Sequence, residues 1–330
     1  MTKDEVLVTG GAGYIGSHTV LACQEHSYPV VVLDNLAKGR RDLVPEGVPF
    51  YLGDVGDKTV LERIFNEHRI SAVMHFAGDI VVPESVVAPL TYYANNTCKT
   101  RQLLQTCVDH GINRFVFSST AAVYGQPETT SVSETAPTRP VNPYGTSKLM
   151  VEWMLRDLAI AQDFRYVALR YFNVAGADPL GRTGQSTPGA THLIKTACEV
   201  AAGKRAELQV FGNDYDTPDG TCIRDYIHVS DLARAHVSAL THLRDQGNSL
   251  TLNCGYGRGY SVRQVIEGIK QLSGVNLRVR TAPRRAGDVA ALVADASRLQ
   301  ASLNWSPEHD NLDFILSTAL DWEERLNAGG

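Results

Sequence analysis

The run Val6-Leu7-Val8-Thr9 is short and apolar, and Gly10-Gly11-Ala12-Gly13-Tyr14-Ile15-Gly16 follows it without a break. A helical pattern then extends from Tyr14 to about Glu25. This order of strand, glycine turn and helix leaves few folds open, because it is the context in which a glycine motif holds a dinucleotide. Gly10 allows the tight turn, Gly13 lets a pyrophosphate approach the backbone, and Gly16 lets the helix pack close to the strand. The helix start at Tyr14 and Ile15 offers unpaired N–H groups and a positive dipole end to phosphates. Pro29 to Asp34 reads as the next buried strand, ending in the carboxylate of Asp34 with Asn35 beside it. An acid there binds both adenosine ribose hydroxyls and repels a 2′-phosphate, which favours NAD over NADP. Lys38, Arg40 and Arg41 follow, and their charges could in principle hold a 2′-phosphate.

Further units repeat the rhythm. Phe50 to Val55 looks like a strand whose end could bring Asp54 near an adenine amino group. A helical segment from about Lys58 to His68 leads to a strand at Ala72 to His75, and Phe76-Ala77-Gly78 after it suits backbone packed on a dinucleotide. Leu90 to His110 reads as one long helix carrying Asn95 and Asn96. Strands at Arg114 to Ser118 and Arg165 to Arg170 complete the series. Alternation of this kind implies an α/β fold with a doubly wound parallel Rossmann sheet, its ligands outside the carboxyl ends of the strands. From about Asn173 the rhythm breaks. Asp178 to Thr191 and Phe211 to Asp225 are rich in Gly, Pro and polar residues, with helical patterns between short strand-like runs. The expectation is an NAD-binding domain over residues 1–172 and a smaller C-terminal α/β lobe for substrate over 173–330, interleaved with late strands of the sheet.

A chain of 330 residues can bury a large core, and 43% hydrophobic with 20% charged residues is ordinary for a soluble globular protein. The net charge of −5 gives no electrostatic footprint for nucleic acid. No apolar run approaches membrane-spanning length, and Met1 to Gly10 lacks the basic and apolar regions of a signal peptide. The six cysteines are scattered without a C-x-x-C pair, which suits reduced thiols in a cytoplasmic protein. No His or Cys spacing suggests a metal site.

Asn142-Pro143-Tyr144-Gly145-Thr146-Ser147-Lys148 carries the candidate chemistry. Pro143 suits the first turn of a helix, and residues four apart share one face of it. A cation near a tyrosine lowers the phenol pKa and makes it a usable base near neutrality.

Taken in one order, Gly10 to Gly16, Asp34, Ser118-Ser119-Thr120 and Tyr144 with Lys148 resemble the extended short-chain dehydrogenase/reductase family, and within it the UDP-sugar 4-epimerases. The stretches VLVTGGAGYIGSH, HFAG, FSSTAAVYG, PYGTSKLMVE, RYFNVAGA, FGNDY, DGTCIRDYIHVSDLA and APRRAGD carry the resemblance, from residue 6 to about 296. It implies interconversion of UDP-galactose and UDP-glucose, with the C4 hydride held in transit by tightly bound NAD. Tyr144 would take the proton of the sugar 4-hydroxyl, Lys148 would bind the nicotinamide ribose and depress the Tyr144 pKa, and Thr120 would hydrogen-bond the reacting oxygen. The resemblance further implies cofactor contacts at Asp54, Val55, Phe76, Ala77, Gly78, Asn95, Ser118 and Tyr171. It implies a UDP-sugar site at Asn173, His192, Leu193, Val210, Phe211, Arg224, Tyr226, Arg285, Asp288 and Leu292, and a homodimer formed through the helices at Leu90–His110 and Tyr144–Ala161. Two guanidinium forks at Arg224 and Arg285 suit paired phosphates, the bland reading being an ion pair with Asp225 or Asp288.

Three positions depart from the common pattern. Asp79-Ile80 stands where many epimerases carry a lysine, His192 replaces a frequent Asn, and Leu292 occupies the position that gates the sugar pocket. Dehydration is disfavoured, because Thr120-Ala121-Ala122 lacks the acid pair that elimination needs. Two alternatives stay open: a 4-epimerase of another UDP-sugar (N-acetylhexosamine, glucuronate or pentose) and a non-catalytic NAD-binding redox sensor. Retention of both Tyr144 and Lys148 argues against the sensor.

Overall fold

The computed structural model describes residues 4–285 and 288–328, so Ala286 and Gly287 of the APRRAGD stretch lie outside the described residues. Seven strands form one sheet in the order Leu250–Cys254, Arg165–Tyr171, Arg114–Thr120, Ile70–His75, Glu5–Thr9, Val30–Asp34 and Phe50–Leu52. Every neighbouring pair runs parallel. Parallel strands are covered on both faces, which is why their sequences are continuous apolar runs. Side chains alternate between the faces, so Val6, Val8, Val30 and Val32 enter one core while Leu7, Val31 and Leu33 enter the other. The helices Tyr14–Glu25 and Val229–Arg244 pack together over the first core. Lys58–Glu67, Lys99–Asp109 and Pro143–Ala161 cover the second with Leu61, Ile64, Leu103, Leu104, Val151 and Leu155. The strand order reverses at Glu5–Thr9, which pairs with Val30–Asp34 on one side and Ile70–His75 on the other. The crevice above that reversal is where such sheets take ligands.

The helix expected over Leu90 to His110 is not uniform. Pro89–Tyr92 is α-helical, Tyr93–Cys98 is a π-turn, and Lys99–Asp109 resumes the α-helix. The wider turn lets the adjacent residues Asn95 and Asn96 both bond Asp79, while Thr97 donates to the Ser147 carbonyl (3.2 Å). A 3.6-residue pattern alone cannot show such a turn.

The rest of the chain builds a second layer beside the carboxyl ends. Gly259–Ser261, Ile223–His228, Ala291–Ala294 and Ser131–Val132 pair in that order, and Asn173–Ala175 also joins Ile223–His228. A parallel ribbon joins Leu208–Phe211 to Val279–Ala282. Helices Leu193–Ala201, Val262–Ser273 and Leu312–Ala328 pack around Ile194, Ala197, Val265, Ile269, Leu316 and Leu320. The chain crosses between layers in both directions: Ser131–Val132 belongs to the second sheet, whereas Val229–Arg244 and Leu250–Cys254 return to the first. Among the described residues no helix is long and apolar enough to cross a membrane, and no His, Cys, Asp and Glu cluster could hold a metal.

Candidate active site

The glycine turn is fixed by contact rather than by side chains. Gly10 has φ +73°, and a Cβ there would stand 2.6 Å from the Ala77 nitrogen. A Cβ on Gly16 would stand 2.1 Å from the Gly10 carbonyl oxygen, so helix and turn touch only because both are glycines. A Cβ on Gly13 would meet nothing nearer than that same oxygen at 3.2 Å, which leaves the space above the turn open. The helix that begins at Tyr14 has no side-chain cap and no acid in its first turn. Its N–H groups are therefore left for an anion. The Tyr14 hydroxyl points away and donates to the Gly176 carbonyl (2.6 Å), while Ile15 packs on the core, so both residues present only backbone to the turn.

Asp34 lies beside this turn, its carboxylate accepting from Ala12 N (2.9 Å) and Leu36 N (2.8 Å). Burial raises its pKa, and those two bonds oppose the rise. Of the cations that follow, Arg40 is paired with Asp42 and Arg41 lies 4.6 Å over the Phe50 ring, so neither stands free for a 2′-phosphate. Asp54 takes Lys99 Nζ at 2.6 Å and Gly56 N at 2.8 Å, with Asn35 at 3.3 Å, and Val55 beside it is buried. Phe76 packs its ring against His236, and Asn95 spends its amide on Asp79 (2.8 Å).

Tyr144 and Lys148 are both buried on the helix Pro143–Ala161. Asn142 caps that helix by accepting from Gly145 N (2.8 Å). A Cβ on Gly145 would lie 2.6 Å from the Ala122 carbonyl, so the helix start seats closely on the turn that follows Thr120. The Thr120 oxygen accepts from Ala122 N (3.1 Å), which leaves its hydroxyl proton to donate. The expected lowering of the Tyr144 pKa by Lys148 is not what the protein's own groups produce. Burial pushes the phenol up, and only the Thr120 hydroxyl opposes it. Lys148 instead donates to the Ser118 carbonyl (3.0 Å) with its ammonium 5.0 Å over the Phe117 ring. Burial pulls its pKa down to about 8, and Asp79 acts the other way. Ser118 donates to the Tyr171 hydroxyl (2.9 Å), one strand over and directly opposite Thr120 in register.

A buried network supports this corner. Ser119 donates to Glu152, Glu152 pairs with Arg170 (2.6 Å), Arg170 donates to Tyr124 (3.0 Å), and Tyr124 donates to Asn253 (2.6 Å). In the sequence no role fell to Glu152, Arg170, Tyr124, Asn253 or Gln185, and Asp79 and Asn96 were named there without being joined. Two adjacent asparagines inside a helical pattern and the acid after HFAG were the available signals.

The strand that ends at Tyr171 continues into Asn173–Ala175, where Asn173 faces Tyr226 in register. Asn173, His192, Leu193 and Tyr226 line one cleft together with Gln185 and Trp322. His192 Nδ1 lies 2.6 Å from the Gln185 amide nitrogen. Next to Tyr226 on the strand, Arg224 donates to the Ile223 (2.9 Å) and Val289 (2.8 Å) carbonyls and reaches Asp288 only at 3.5 Å. Leu292 is opposite Arg224 in register. Arg285 stacks on Phe211, 3.7 Å from the ring centroid, whereas Val210 is buried in the core of the second layer with Ile194 and Val265.

Comparison with known proteins agrees with this geometry. The description "NAD dependent epimerase/dehydratase family" matches residues 6–255. The chain is 59% identical over 321 residues to a UDP-glucose 4-epimerase of Azospirillum brasilense, covering 97% of this chain and 92% of that one. It is 47% identical over 319 residues to a UDP-glucose 4-epimerase of Halalkalibacterium halodurans, covering 97% and 95%. The solved UDP-glucose 4-epimerase from Brucella ovis in complex with NAD superposes with a TM-score of 0.95 at 44% identity, covering 98% and 99% of the two chains. That from Bifidobacterium longum in complex with NAD+ and UDP gives 0.94 at 40%, covering 99% and 100%. The glycine turn, Asp34 and the Tyr144 helix all fall within the matched span, and the chain belongs to the NAD dependent epimerase/dehydratase family.

Proposed function

We propose that this protein interconverts UDP-galactose and UDP-glucose through a transient 4-keto sugar. The observation that carries the reading is the buried Thr120, Tyr144 and Lys148 corner, which shares the carboxyl end of the parallel sheet with the open glycine turn after Glu5–Thr9. The residues present fit NAD: an uncapped helix start suits its pyrophosphate, and Asp34 suits an unphosphorylated ribose. Bound there, NAD supplies a reversible hydride acceptor for C4. Tyr144 removes the 4-hydroxyl proton and later returns it, and Thr120 donates to the reacting oxygen. Lys148 holds the nicotinamide ribose, and its charge together with the cofactor's would offset the burial that raises Tyr144. Arg224 and Arg285 grip the diphosphate, with Phe211, Asp288, His192 and Leu193 around the nucleotide and Leu292 at the sugar. Gripping the nucleotide leaves the keto sugar free to turn its other face to the hydride.

The same reading divides the chain near residue 172 into a cofactor part and a UDP-sugar part, joined by the crossing strands. It also makes the protein a cytoplasmic homodimer. Val86, Val87, Leu90 and Trp153 are exposed apolar residues on and beside the two helices expected to meet. A monomer in sedimentation velocity would contradict the dimer.

Incubation of the purified protein with UDP-galactose and no added cofactor tests the function. UDP-glucose formation, bound-nucleotide absorbance and loss of turnover in Tyr144→Phe are expected. Bound NAD without conversion of UDP-galactose would move the assignment to another UDP-sugar, or to a sensor if none reacts.

A further inference from the structure

Asp79 lies beside Ile80, where the sequence departs from the resembled pattern, and the structure clamps it from three sides. Its backbone N–H donates to Asn96 Oδ1 (2.8 Å), and its carbonyl accepts from Asn96 Nδ2 (3.0 Å). Its carboxylate accepts from Asn95 Nδ2 (2.8 Å). Both asparagines come from the π-turn Tyr93–Cys98, and Asn96 is further tied to Ser147 Oγ (3.1 Å) on the helix of Tyr144 and Lys148. The preceding residue is a glycine at which a Cβ would lie 2.9 Å from Asn96 Oδ1 and 3.6 Å from Lys148 Nζ. The clamp therefore sits beside the ammonium. A π-turn interrupting a helix is a feature that recurs at functional sites.

Among the described residues, the other groups facing Lys148 bring no full negative charge to it. On the strand Ile70–His75, His75 bonds Thr9 and Thr100 and is held neutral by burial, down to about 3. From its own helix Tyr144, and from the neighbouring strand Tyr171, are phenols that burial keeps protonated. Glu152, one turn along, is committed to Arg170 and Ser119. The Ser118 carbonyl and the Phe117 ring offer partial charges only. Among the described residues Asp79 is the carboxylate whose field acts on Lys148, at longer range than a direct ion pair.

We infer that Asp79 is a positioning residue for the reaction, presented by Asn95 and Asn96 as the electrostatic partner that keeps Lys148 an ammonium during turnover. It touches neither the sugar nor the proton in transit. The inference rests on the roles assigned above to Tyr144 and Lys148. Because burial draws Lys148 down, a neutral residue at 79 lets the ammonium lose its proton at lower pH, and the alkaline limb of the rate moves with it.

Asp79→Asn tests this in the holoenzyme, since it keeps an acceptor for Asn95 and removes only the charge. Three quantities are read: kcat and KM for UDP-galactose over about pH 6 to 10, the thermal midpoint, and the Lys148 side-chain carbon signal in lysine-labelled protein, assigned by its loss in Lys148→Arg. The alkaline limb of kcat and the midpoint of the lysine signal are both expected to shift to lower pH, with KM and the thermal midpoint held. Asp79→Glu is expected to restore both. Superposition of Asp79→Asn on wild type in the rate profile and the lysine signal would overturn the inference. A Tyr144→Phe control separates the two levels. Turnover retained there would overturn the site assignment itself, whereas an inactive Tyr144→Phe beside an unchanged Asp79→Asn would overturn only the role of Asp79.

Discussion

The two ends of the proposed site are built differently. The proposed cofactor end is backbone: Gly10, Gly13 and Gly16 lie close to main chain, and the helix start is left bare. The proposed sugar-nucleotide end is side chain on side chain, with Arg285 on Phe211, Arg224 loosely toward Asp288, and His192 on Gln185. Backbone geometry has no rotamers to change, whereas paired side chains can exchange partners for a ligand. The contrast matches the chemistry proposed, in which the hydride acceptor must stay still while the sugar turns.

Acid should break the contrast most severely, because both faces of the sheet depend on neutral histidines, His18 and His236 on the helices over the first core and His75 against the second. Burial holds His18, His75 and His236 down to about 4, 3 and 4. Unfolded, each would titrate near 6.5, so there is no penalty above that pH and a growing one as pH falls toward the folded values. Three protons taken up only on unfolding give a slope of about 4 kcal/mol per pH unit near pH 5. Thermal midpoints measured against pH should fall steeply there; a flat profile would contradict the account. Next in size is the buried pair beneath Thr120. Glu152→Leu leaves Arg170 unpaired and should cost about 3–5 kcal/mol in denaturant unfolding. A cost near zero would show that solvent reaches this corner.

Gly10→Ala sharpens the comparison at the cofactor end. With φ +73° and Ala77 N 2.6 Å away, the substitution should cost about 1–3 kcal/mol and release bound nucleotide, read by absorbance of the purified protein. Arg224→Ala does the reverse at the other end. Loss of charged hydrogen bonds should raise KM for UDP-galactose by about 10- to 100-fold while nucleotide absorbance stays unchanged. Loss of NAD in Arg224→Ala would mean that the two ends are not separable.

The cofactor end was legible because it is local. Strand, turn, helix and Asp34 lie within one βαβ unit, and each is signalled by residue type at fixed spacing. The Tyr144 helix was legible for the same reason, from its proline and its four-residue spacing. What the sequence concealed is long-range. Arg224 meets Asp288 across two strands, and the short strand Ser131–Val132 leaves the first half to pair in the second sheet. The raised Tyr144 pKa also comes from segments far apart in the chain, which together exclude water. The clamp on Asp79 needed a π-turn that no apolar periodicity encodes.

In the proposed mechanism one hydride leaves C4 and returns to it within a single closed site. UDP-galactose deuterated at C4, turned over without added cofactor, tests that most directly by the deuterium content of the UDP-glucose formed. The label should remain at C4 through every turnover. Exchange of deuterium with solvent, or with NAD added outside the protein, would contradict it.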